Sequence, residues 1–294
     1  MNIKTGLNEV KIGTDINQIH VPPQLRIRQN LGIDWVNHAL GGGGMTPSTV
    51  GMVTGSPGSG KSTLLRQLAD SITGQGHIAI YNTGEESVEQ VKMRVEDMEL
   101  TNGFQIGQET FVGKVLAHAR EMQSLFPKKQ VFILQDSLQT LDDGHYKNGT
   151  TSVTPVRCCA ELTNWAKETY GIVLFIGQVT KSGVFAGKNV IRHMADVHVE
   201  VIRDEDPKSD TYKQLLFEVS KNRFGCTGKT YVVSLGKKGL TAIDYEDMPR
   251  ADGTTTDPED WVSEIRVRPG TKSGVQPKVT AEQVATEKAR KAST

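Results

Sequence analysis

The chain has 294 residues, in which 34 Lys and Arg residues balance 34 Asp and Glu residues. This length suits one folded core of about 200–250 residues with short extensions, and the neutral charge argues against an overall basic field, although a local basic stripe would still suit DNA binding. Three cysteines without a C-x-x-C pair argue against a zinc ribbon. The N-terminus has no signal-peptide pattern and no apolar run is long enough for a bilayer, so we expect a cytoplasmic protein without membrane contact.

Strands and helices alternate along most of the chain. Strand-like runs occupy residues 50–54, 77–82, 131–134 and 172–176. Helical patterns occupy residues 61–73, 87–98, 112–126 and 155–169. This alternation predicts an α/β fold with a mostly parallel twisted sheet flanked by helices. Antiparallel edge strands are expected from later runs without intervening helices, at 197–202, 213–219, 230–235 and 240–243.

Three segments are expected along the chain. Residues 1–28 are weakly patterned and broken by Pro22 and Pro23, which indicates an N-terminal extension. Residues 29–245 contain the predicted core. Residues 246–294 are first acidic and then basic, with a small and polar end, which favours a flexible C-terminal tail.

A glycine-rich segment between the first strand and the first helix fits the pattern G-x-x-x-x-G-K-[ST]. The motif consists of Gly55, Ser56, Pro57, Gly58, Ser59, Gly60, Lys61 and Ser62. We expect the next residue, Thr63, to contact the nucleotide as well. Glycines let backbone N–H groups wrap around phosphates at the positive end of the following helix. Lys61 supplies charge to the β- and γ-phosphates in this motif, and Ser62 ligates Mg²⁺. The segment therefore predicts a site for ATP and Mg²⁺.

Acidic side chains follow two other predicted strands. A P-loop ATPase needs an acid at the end of an apolar strand to hold Mg²⁺ or its waters, and Asp136 follows the run 131–134. Hydrolysis also needs a group that activates the attacking water. Glu85 and Glu86 follow the second strand, and we prefer Glu85, with Glu86 as the alternative. Both acids would also suit the first turn of a helix, where the helix dipole favours negative charge.

Several strings together resemble one family, the RecA-like ATPase core of the bacterial RadA/Sms recombination and repair proteins. They are GSPGSGKSTLL (55–65), TGEES (83–87), QDSLQT (135–140), SVTPVRCCAELTNWAK (152–167), GQVTKSGVFAG (177–187), HMAD (193–196) and KNRFG (221–225). KNRFG is the narrowest of these signatures, and the resemblance covers about 30–243. It implies a RecA-like P-loop core in a hexameric ring of identical subunits, with ATP between subunits. The implied activity is a DNA-stimulated ATPase that works as a helicase or in branch migration on single-stranded or branched DNA.

The same resemblance implies further catalytic residues. Lys221 and Arg223 of KNRFG would act on the nucleotide of a neighbouring subunit, where a cation stabilises charge developing on the γ-phosphate. Two solvated charges at a strand end are the alternative. Gln178 would be the polar γ-phosphate sensor, a position where RadA proteins more often have His.

Two polar loops, at 141–154 and 180–190, would line the DNA path in such an ATPase. The candidate contacts to DNA phosphates are Lys147, Lys181, Lys188 and Arg192. Ordinary solvated loops are the alternative. RadA proteins also carry a four-Cys zinc motif before the core and a protease-like domain after it, and we expect neither here.

Other functions stay open at this point. A DnaB-type replicative helicase shares the core but normally has an N-terminal domain, for which residues 1–27 are short. An ATP-dependent assembly protein that is not a motor would use ATP only to oligomerise, although Glu85, Asp136 and Arg223 favour a working ATPase. The polar loops and KNRFG disfavour a small-molecule kinase.

Overall fold

The computed structural model describes residues 12–146, 150–178, 189–228 and 230–243. The strands in these residues are β1 Val50–Gly55, β2 Ile78–Thr83, β3 Gln105–Gly107, β4 Val131–Asp136, β5 Ile172–Ile176, β6 Val197–Arg203, β7 Leu215–Asn222, β8 Thr230–Gly236 and β9 Gly239–Ala242. The helices are α1 Asp34–Ala39, α2 Lys61–Gly74, α3 Val88–Asp97, α4 Val112–Leu125, α5 Thr154–Thr169 and α6 Asn189–Met194. Short 3-10 helices lie at Ile16–Gln18, Pro23–Arg26 and Leu138–Thr140.

The strands of the described residues form one sheet in the order β3-β2-β4-β5-β1-β6-β7-β8-β9. The strands from β3 to β6 in this order are parallel, whereas β7, β8 and β9 are antiparallel. In the centre, Gly51 of β1 lies opposite Leu174 of β5 and Val197 of β6. The carboxyl ends of the parallel strands therefore meet at one edge, the carboxyl edge, and their starts meet at the amino edge.

Helices cover both faces of the sheet. α1, α2 and α3 pack on one face through buried side chains that include Val36, Leu65 and Val91. α4, α5 and α6 pack on the other face, where Trp165 and Ile191 are fully buried. Parallel strands covered on both faces are apolar along their whole length, which explains the continuous apolar runs in the sequence. This arrangement confirms the predicted α/β fold with antiparallel edge strands.

Three short elements are not predicted by the sequence patterns: α1, β3 and α6. The polar loop expected at 180–190 ends earlier, because α6 begins at Asn189. A six-residue helix is shorter than two turns, so its buried pair Ile191 and Met194 is too short to show a helical period. β3 has three residues, of which none is buried, and therefore has no apolar run to mark it.

Of the two predicted segment boundaries, the one at 28/29 lies within the described residues and the one at 245/246 lies outside them. The expected tail, 246–294, lies wholly outside them, and so do residues 1–11 of the expected extension. Most side chains between residues 12 and 28 are exposed, apart from a few that are half-buried. Among the helices that the structure describes, none combines the length and the apolar composition needed to cross a bilayer.

Candidate nucleotide site

The glycine-rich segment forms a loop at the carboxyl edge, between β1 and α2. Gly55 and Gly60 have φ angles of +151° and +88°, in the region that favours glycine. A Cβ at Gly55 would collide with the carbonyl oxygen of Val201, and one at Gly60 would lie 2.8 Å from Cδ1 of Leu240. Backbone conformation and lack of space therefore both require glycine at these positions.

Lys61 begins α2 and folds back over the loop. Its Nζ donates hydrogen bonds to the carbonyl oxygens of Gly55, at 2.9 Å, and Ser56, at 2.8 Å. Burial lowers the pKa of Lys61, whereas the nearby charges of Asp136 and Glu85 raise it. The ammonium group therefore lies within electrostatic reach of two carboxylates.

Asp136 ends β4 and is buried at the carboxyl edge. The hydroxyl of Tyr81, in the neighbouring strand β2, donates to Oδ2 of Asp136 at 2.8 Å. Ser62, next to Lys61, also hydrogen-bonds to this carboxylate. Burial raises the pKa of Asp136, while the hydrogen bonds from Ser62 and Tyr81 lower it. The strand end thus brings an acid and the P-loop serine together.

Glu85 lies on the loop after β2 and is exposed at the same edge. Its Oε1 accepts hydrogen bonds from the hydroxyl of Ser137 and from Nε2 of Gln178, both at 2.6 Å. Ser137 follows β4 and Gln178 follows β5, so groups after three strands meet at one carboxylate. The structure therefore brings Glu85 and Gln178 into contact at the carboxyl edge.

Glu86 has a different environment from Glu85. Its carboxylate forms an ion pair with Arg66 of α2, whose side chain is buried. A buried guanidinium needs such a partner, because an unpaired charge in the interior is costly. Glu86 therefore ties the loop after β2 to α2 and is occupied by a structural contact. Ser87 then begins α3 with a capping box that it forms with Gln90.

The loop holds one buried hydroxyl that a nucleotide phosphate could satisfy. The hydroxyl of Ser59 is buried there without a hydrogen-bond partner among the described residues. The described residues also contain no cluster of three or more His, Cys, Asp or Glu side chains that could hold a metal ion. The oxygens of Ser62 and Asp136 lie together beside the loop and would suit Mg²⁺, which takes few protein ligands and completes its shell with phosphate oxygens.

Arg223 lies at the amino edge, far from this loop. The backbone N–H of Arg223 donates to the carbonyl oxygen of Asp196 at 3.0 Å. The backbone N–H of Asp196 in turn donates to the carbonyl oxygen of Val50 at 2.7 Å. Val50 begins β1, whereas Gly55 ends it. At about 3.3 Å per residue, the two ends of β1 are about 16 Å apart. The side chain of Arg223 therefore does not reach the P-loop of its own chain.

Lys221 forms hydrogen bonds with the C-terminal end of α6. Its Nζ donates to the carbonyl oxygens of Arg192 at 3.0 Å, His193 at 3.1 Å and Ala195 at 2.5 Å, all at the C-terminal end of α6. Burial is the main cause that lowers the pKa of Lys221, and the positive charge of Arg223 adds to it. The structure thus gives Lys221 a helix-capping contact that the sequence did not predict.

The loop after β7 is anchored by Arg28. Nη1 of Arg28 donates to the carbonyl oxygens of Gly42 at 3.0 Å and Gly44 at 3.2 Å. Its Nη2 donates to the carbonyl oxygen of Phe224. Arg28 therefore ties a glycine-rich turn to the segment that carries Arg223.

Three of the candidate DNA contacts, Lys147, Lys181 and Lys188, lie outside the described residues. The fourth, Arg192, is exposed on α6 and pairs with Glu200 at 3.2 Å. Its guanidinium thus has a protein partner within its own chain, and DNA contact stays a prediction for all four residues.

Five residues that hold the site and the Arg223 loop in place are not predicted by the sequence patterns. They are Tyr81, Ser137, Arg66, Asp196 and Arg28. Tyr81 offers one signal, since the hydroxyl of a buried tyrosine usually has a hydrogen-bond partner. The others are recognisable only when distant segments are brought together, because their partners lie far away in sequence.

Relatives of known sequence match most of the chain. A family model described as the viral superfamily 1 RNA helicase core domain matches residues 51–233. DNA repair protein RadA of Bacillus subtilis is 34% identical over 231 residues, which cover 78% of this chain and 47% of that protein. DNA repair protein RadA of Rickettsia conorii is 33% identical over 247 residues, which cover 82% of this chain and 53% of that protein. The chain thus spans about half the length of these curated relatives.

Solved structures share the fold at low sequence identity. One solved ATPase domain has a TM-score of 0.63 at 13% identity, over 76% of this chain and 93% of that one. A DnaB-like replicative helicase, described with its interactions with primase, has a TM-score of 0.64 at 13% identity, over 74% of this chain and 62% of that one. These likenesses concern the fold alone. The sequence matches go further: the chain belongs to the helicase-core family that matches residues 51–233, and its core is RadA-like, as the sequence strings predicted.

Proposed function

We propose that this chain is the core of an ATP-dependent motor that acts on single-stranded or branched DNA in recombination or repair, as a helicase or in branch migration. It hydrolyses ATP with Mg²⁺ and works as a ring of identical subunits, with six as the expected number and a nucleotide at each interface. The matched relatives named DNA repair protein RadA support this assignment.

The meeting of four polar side chains at the carboxyl edge carries the proposal. Lys61 follows β1 and Glu85 follows β2, while Asp136 ends β4 and Gln178 follows β5. These strands are adjacent in the sheet although they are distant in sequence. Open α/β sheets bind their ligands at this edge, where the strand order changes direction.

Each side chain has a role that follows from its position. Glu85 would accept a proton from the attacking water. Its two hydrogen-bond donors, Ser137 and Gln178, hold the carboxylate in position. Lys61 would exchange the carbonyl oxygens of the loop for phosphate oxygens, which accept stronger hydrogen bonds because they are charged. Gln178 would report the state of the γ-phosphate through its contact with Glu85.

The metal site would be formed by Ser62 and Asp136. A bound Mg²⁺ would supply positive charge to the β- and γ-phosphates during phosphoryl transfer. Tyr81 orients the carboxylate of Asp136 by donating to Oδ2, and Ser62 holds it from the P-loop side. These hydrogen bonds favour the ionised form of Asp136, so they offset part of the rise in its pKa that burial causes.

Arg223 would complete the site of a neighbouring subunit. It is half-exposed at the amino edge, about 16 Å from the level of its own P-loop. A cation that enters from the next subunit stabilises charge on the transferred phosphoryl group and makes hydrolysis depend on assembly. Lys221, by contrast, would support the segment that carries Arg223, because its Nζ donates to carbonyl oxygens at the end of α6.

DNA would be sensed by the loops that follow β4 and β5. The polar segment that precedes α6 begins two residues after Gln178, which contacts Glu85. A change in this segment on DNA binding would therefore act close to the proposed base. The phosphate contacts proposed for DNA remain Lys147, Lys181, Lys188 and Arg192.

Steady-state ATP hydrolysis with and without single-stranded DNA tests the proposal, with Glu85→Gln as the blank. We expect DNA to stimulate hydrolysis strongly, and Lys61→Ala to lose about 10²–10³-fold in turnover, as is typical when one charge-stabilising group is removed. Normal hydrolysis by Lys61→Ala would refute the site. Hydrolysis that ignores DNA would contradict the motor and favour an ATP-dependent assembly protein. Assays of branch migration and of duplex unwinding would then separate a RadA-type motor from a DnaB-type helicase.

A further inference from the structure

Asp196 is a buried carboxylate at the amino edge, directly before β6. Its side chain is 1% exposed. Oδ2 accepts hydrogen bonds from the N–H of Val50 at 3.0 Å and from Nζ of Lys167 at 2.7 Å. Oδ1 accepts a hydrogen bond from Nη1 of Arg223 at 3.2 Å. Both oxygens are therefore paired, as a buried carboxylate requires.

The guanidinium of Arg223 is fixed at two points but is not enclosed. Besides its contact with Asp196, its Nη2 donates to the carbonyl oxygen of His193 at 3.2 Å. The side chain is nevertheless 54% exposed. A guanidinium has five N–H donors in a rigid fork. These contacts therefore orient the fork while donors remain for an anion from outside the chain.

Lys167 supplies a second cation at the same carboxylate. Its Nζ also lies 5.6 Å from the centre of the Phe224 ring, so it contacts the loop that carries Arg223. One carboxylate between two cations leaves the cluster with net positive charge. The lowered pKa of Lys221, to which the charge of Arg223 contributes, is consistent with this crowding of cations. The amino edge thus presents positive charge around Arg223.

We propose that Asp196 is the positioning residue for Arg223 and sets the angle at which the guanidinium meets the nucleotide of the next subunit. The inference rests on the proposed function, in which Arg223 acts on a neighbour. Asp196 does not touch that nucleotide and acts only through the arginine of its own chain. Since its carboxylate is bonded to Val50 of β1 and Lys167 of α5, it ties the arginine to the rigid sheet.

Mixed assemblies separate this role from a merely structural one. Lys61→Ala chains keep Arg223 but lack a working P-loop, whereas Arg223→Ala chains keep the P-loop but lack the arginine. A mixture should regain ATP hydrolysis at interfaces where each chain supplies its intact part. The Lys61→Ala chain is then the arginine donor, and a second substitution in it tests only how the arginine is presented.

Three donors are mixed with a constant excess of Arg223→Ala chains: Lys61→Ala alone, Lys61→Ala with Asp196→Asn, and Lys61→Ala with Asp70→Asn. Asp70 is the matched control, because it is also buried but accepts its hydrogen bonds from Asn102 and Gly103. We expect the Asp196→Asn donor to restore about ten- to a hundredfold less turnover, since small misplacements of a catalytic group can cost about 10²-fold. The KM for ATP should not change, and the Asp70→Asn donor should restore full turnover.

The outcomes distinguish the two levels of the proposal. Absence of rescue by Lys61→Ala alone would overturn the composite site and the role of Asp196 together. Full rescue by the Asp196→Asn donor would overturn the role of Asp196 only, and so would enhanced rescue, because the carboxylate would then restrain the arginine. An equal loss with the Asp70→Asn donor would also overturn it. Asp196→Glu keeps the charge but displaces the carboxylate by one methylene, so this donor should also restore less turnover, including where Asp196→Asn fails to fold.

Discussion

Glu85 and Glu86 are neighbours in sequence but have different partners in the fold. Glu85 accepts hydrogen bonds from Ser137 and Gln178, whereas Glu86 pairs with the buried Arg66. In the sequence, two acids follow the second strand, and ATP hydrolysis requires a group near the P-loop that activates the attacking water. The sequence favours Glu85 over Glu86 but does not show what Glu86 contacts, because its partner Arg66 lies 20 positions away in α2.

Isosteric substitutions of the two glutamates should therefore behave differently. Glu85→Gln should lower turnover by about 10²–10⁴-fold with ATP binding retained, because the proposed base is removed. Glu86→Gln should retain turnover but unfold at lower temperature, because Arg66 loses its charged partner at a cost of about 1–3 kcal/mol. Single-turnover hydrolysis and thermal unfolding measure both effects. A larger turnover loss in Glu86→Gln would reverse the assignment.

Tyr81→Phe tests the support of the metal-binding acid. Asp136 must be ionised to bind Mg²⁺, so turnover falls as the pH drops through its pKa. Burial raises that pKa, whereas the Tyr81 hydrogen bond lowers it. Removal of the hydroxyl should raise the pKa further, and the acid limb of the pH–rate profile should move to higher pH.

The Mg²⁺ requirement provides a second measurement on Tyr81→Phe. The loss of a hydrogen bond to a charged group, of about 1.4 kcal/mol or more, should raise the Mg²⁺ concentration for half-maximal turnover roughly tenfold. Tyr231→Phe is a suitable control, because Tyr231 contacts His38 away from the P-loop. An unchanged pH profile and Mg²⁺ requirement would show that Tyr81 only fills the core.

At the scale of elements, the glycine turn at 41–44 supports the loop that carries Arg223. Gly42 and Gly44 have similar φ angles, +89° and +92°. A Cβ at Gly42 has open space, but one at Gly44 would collide with the carbonyl oxygen of Gln29. The two positions thus separate conformational strain from lack of space.

Alanine at these two glycines should differ in its effect on stability. Gly42→Ala should cost about 1–2 kcal/mol, which is the strain of a left-handed residue, or a few degrees in Tm. Gly44→Ala should lower Tm by more, because the backbone at Gln29 must also move. Thermal unfolding of both variants measures the difference, and equal Tm values would contradict the crowding at Gly44.

Sequence patterns predict elements well where each element is long and buried. The runs that became β1, β4 and β5 are covered on both faces, so burial leaves a continuous apolar signal. The order of these strands does not follow from their patterns, because it depends on pairing between distant segments. The resemblance to RadA proteins implied a RecA-like core and a role for Arg223 at a neighbouring nucleotide, but not the anchoring of Arg223 by Asp196.

At the scale of the whole molecule, ATP turnover should depend on protein concentration. In the proposed assembly, the P-loop of an isolated chain lacks the Arg223 of a neighbour, and a trans-acting arginine contributes about 10³–10⁵-fold in related phosphoryl transfers. Turnover per chain should therefore fall when dilution dissociates the assembly. A dilution series with parallel sedimentation measures this, and Arg223→Ala should stay at the low level throughout. Constant turnover in a monomeric preparation would contradict a composite site.

The placement of the P-loop and Arg223 at opposite edges of one sheet also gives the proposed assembly a direction. Each contact joins unlike surfaces, so copies add head to tail. An open row of copies has one complete site fewer than it has subunits, because its first P-loop lacks an arginine and its last arginine lacks a P-loop. When the row closes into a ring, the last arginine meets the first P-loop and the missing site is completed. A ring that opens to admit a DNA strand would thus lose ATP hydrolysis at the gap. The rate of hydrolysis would rise again when the ring closes.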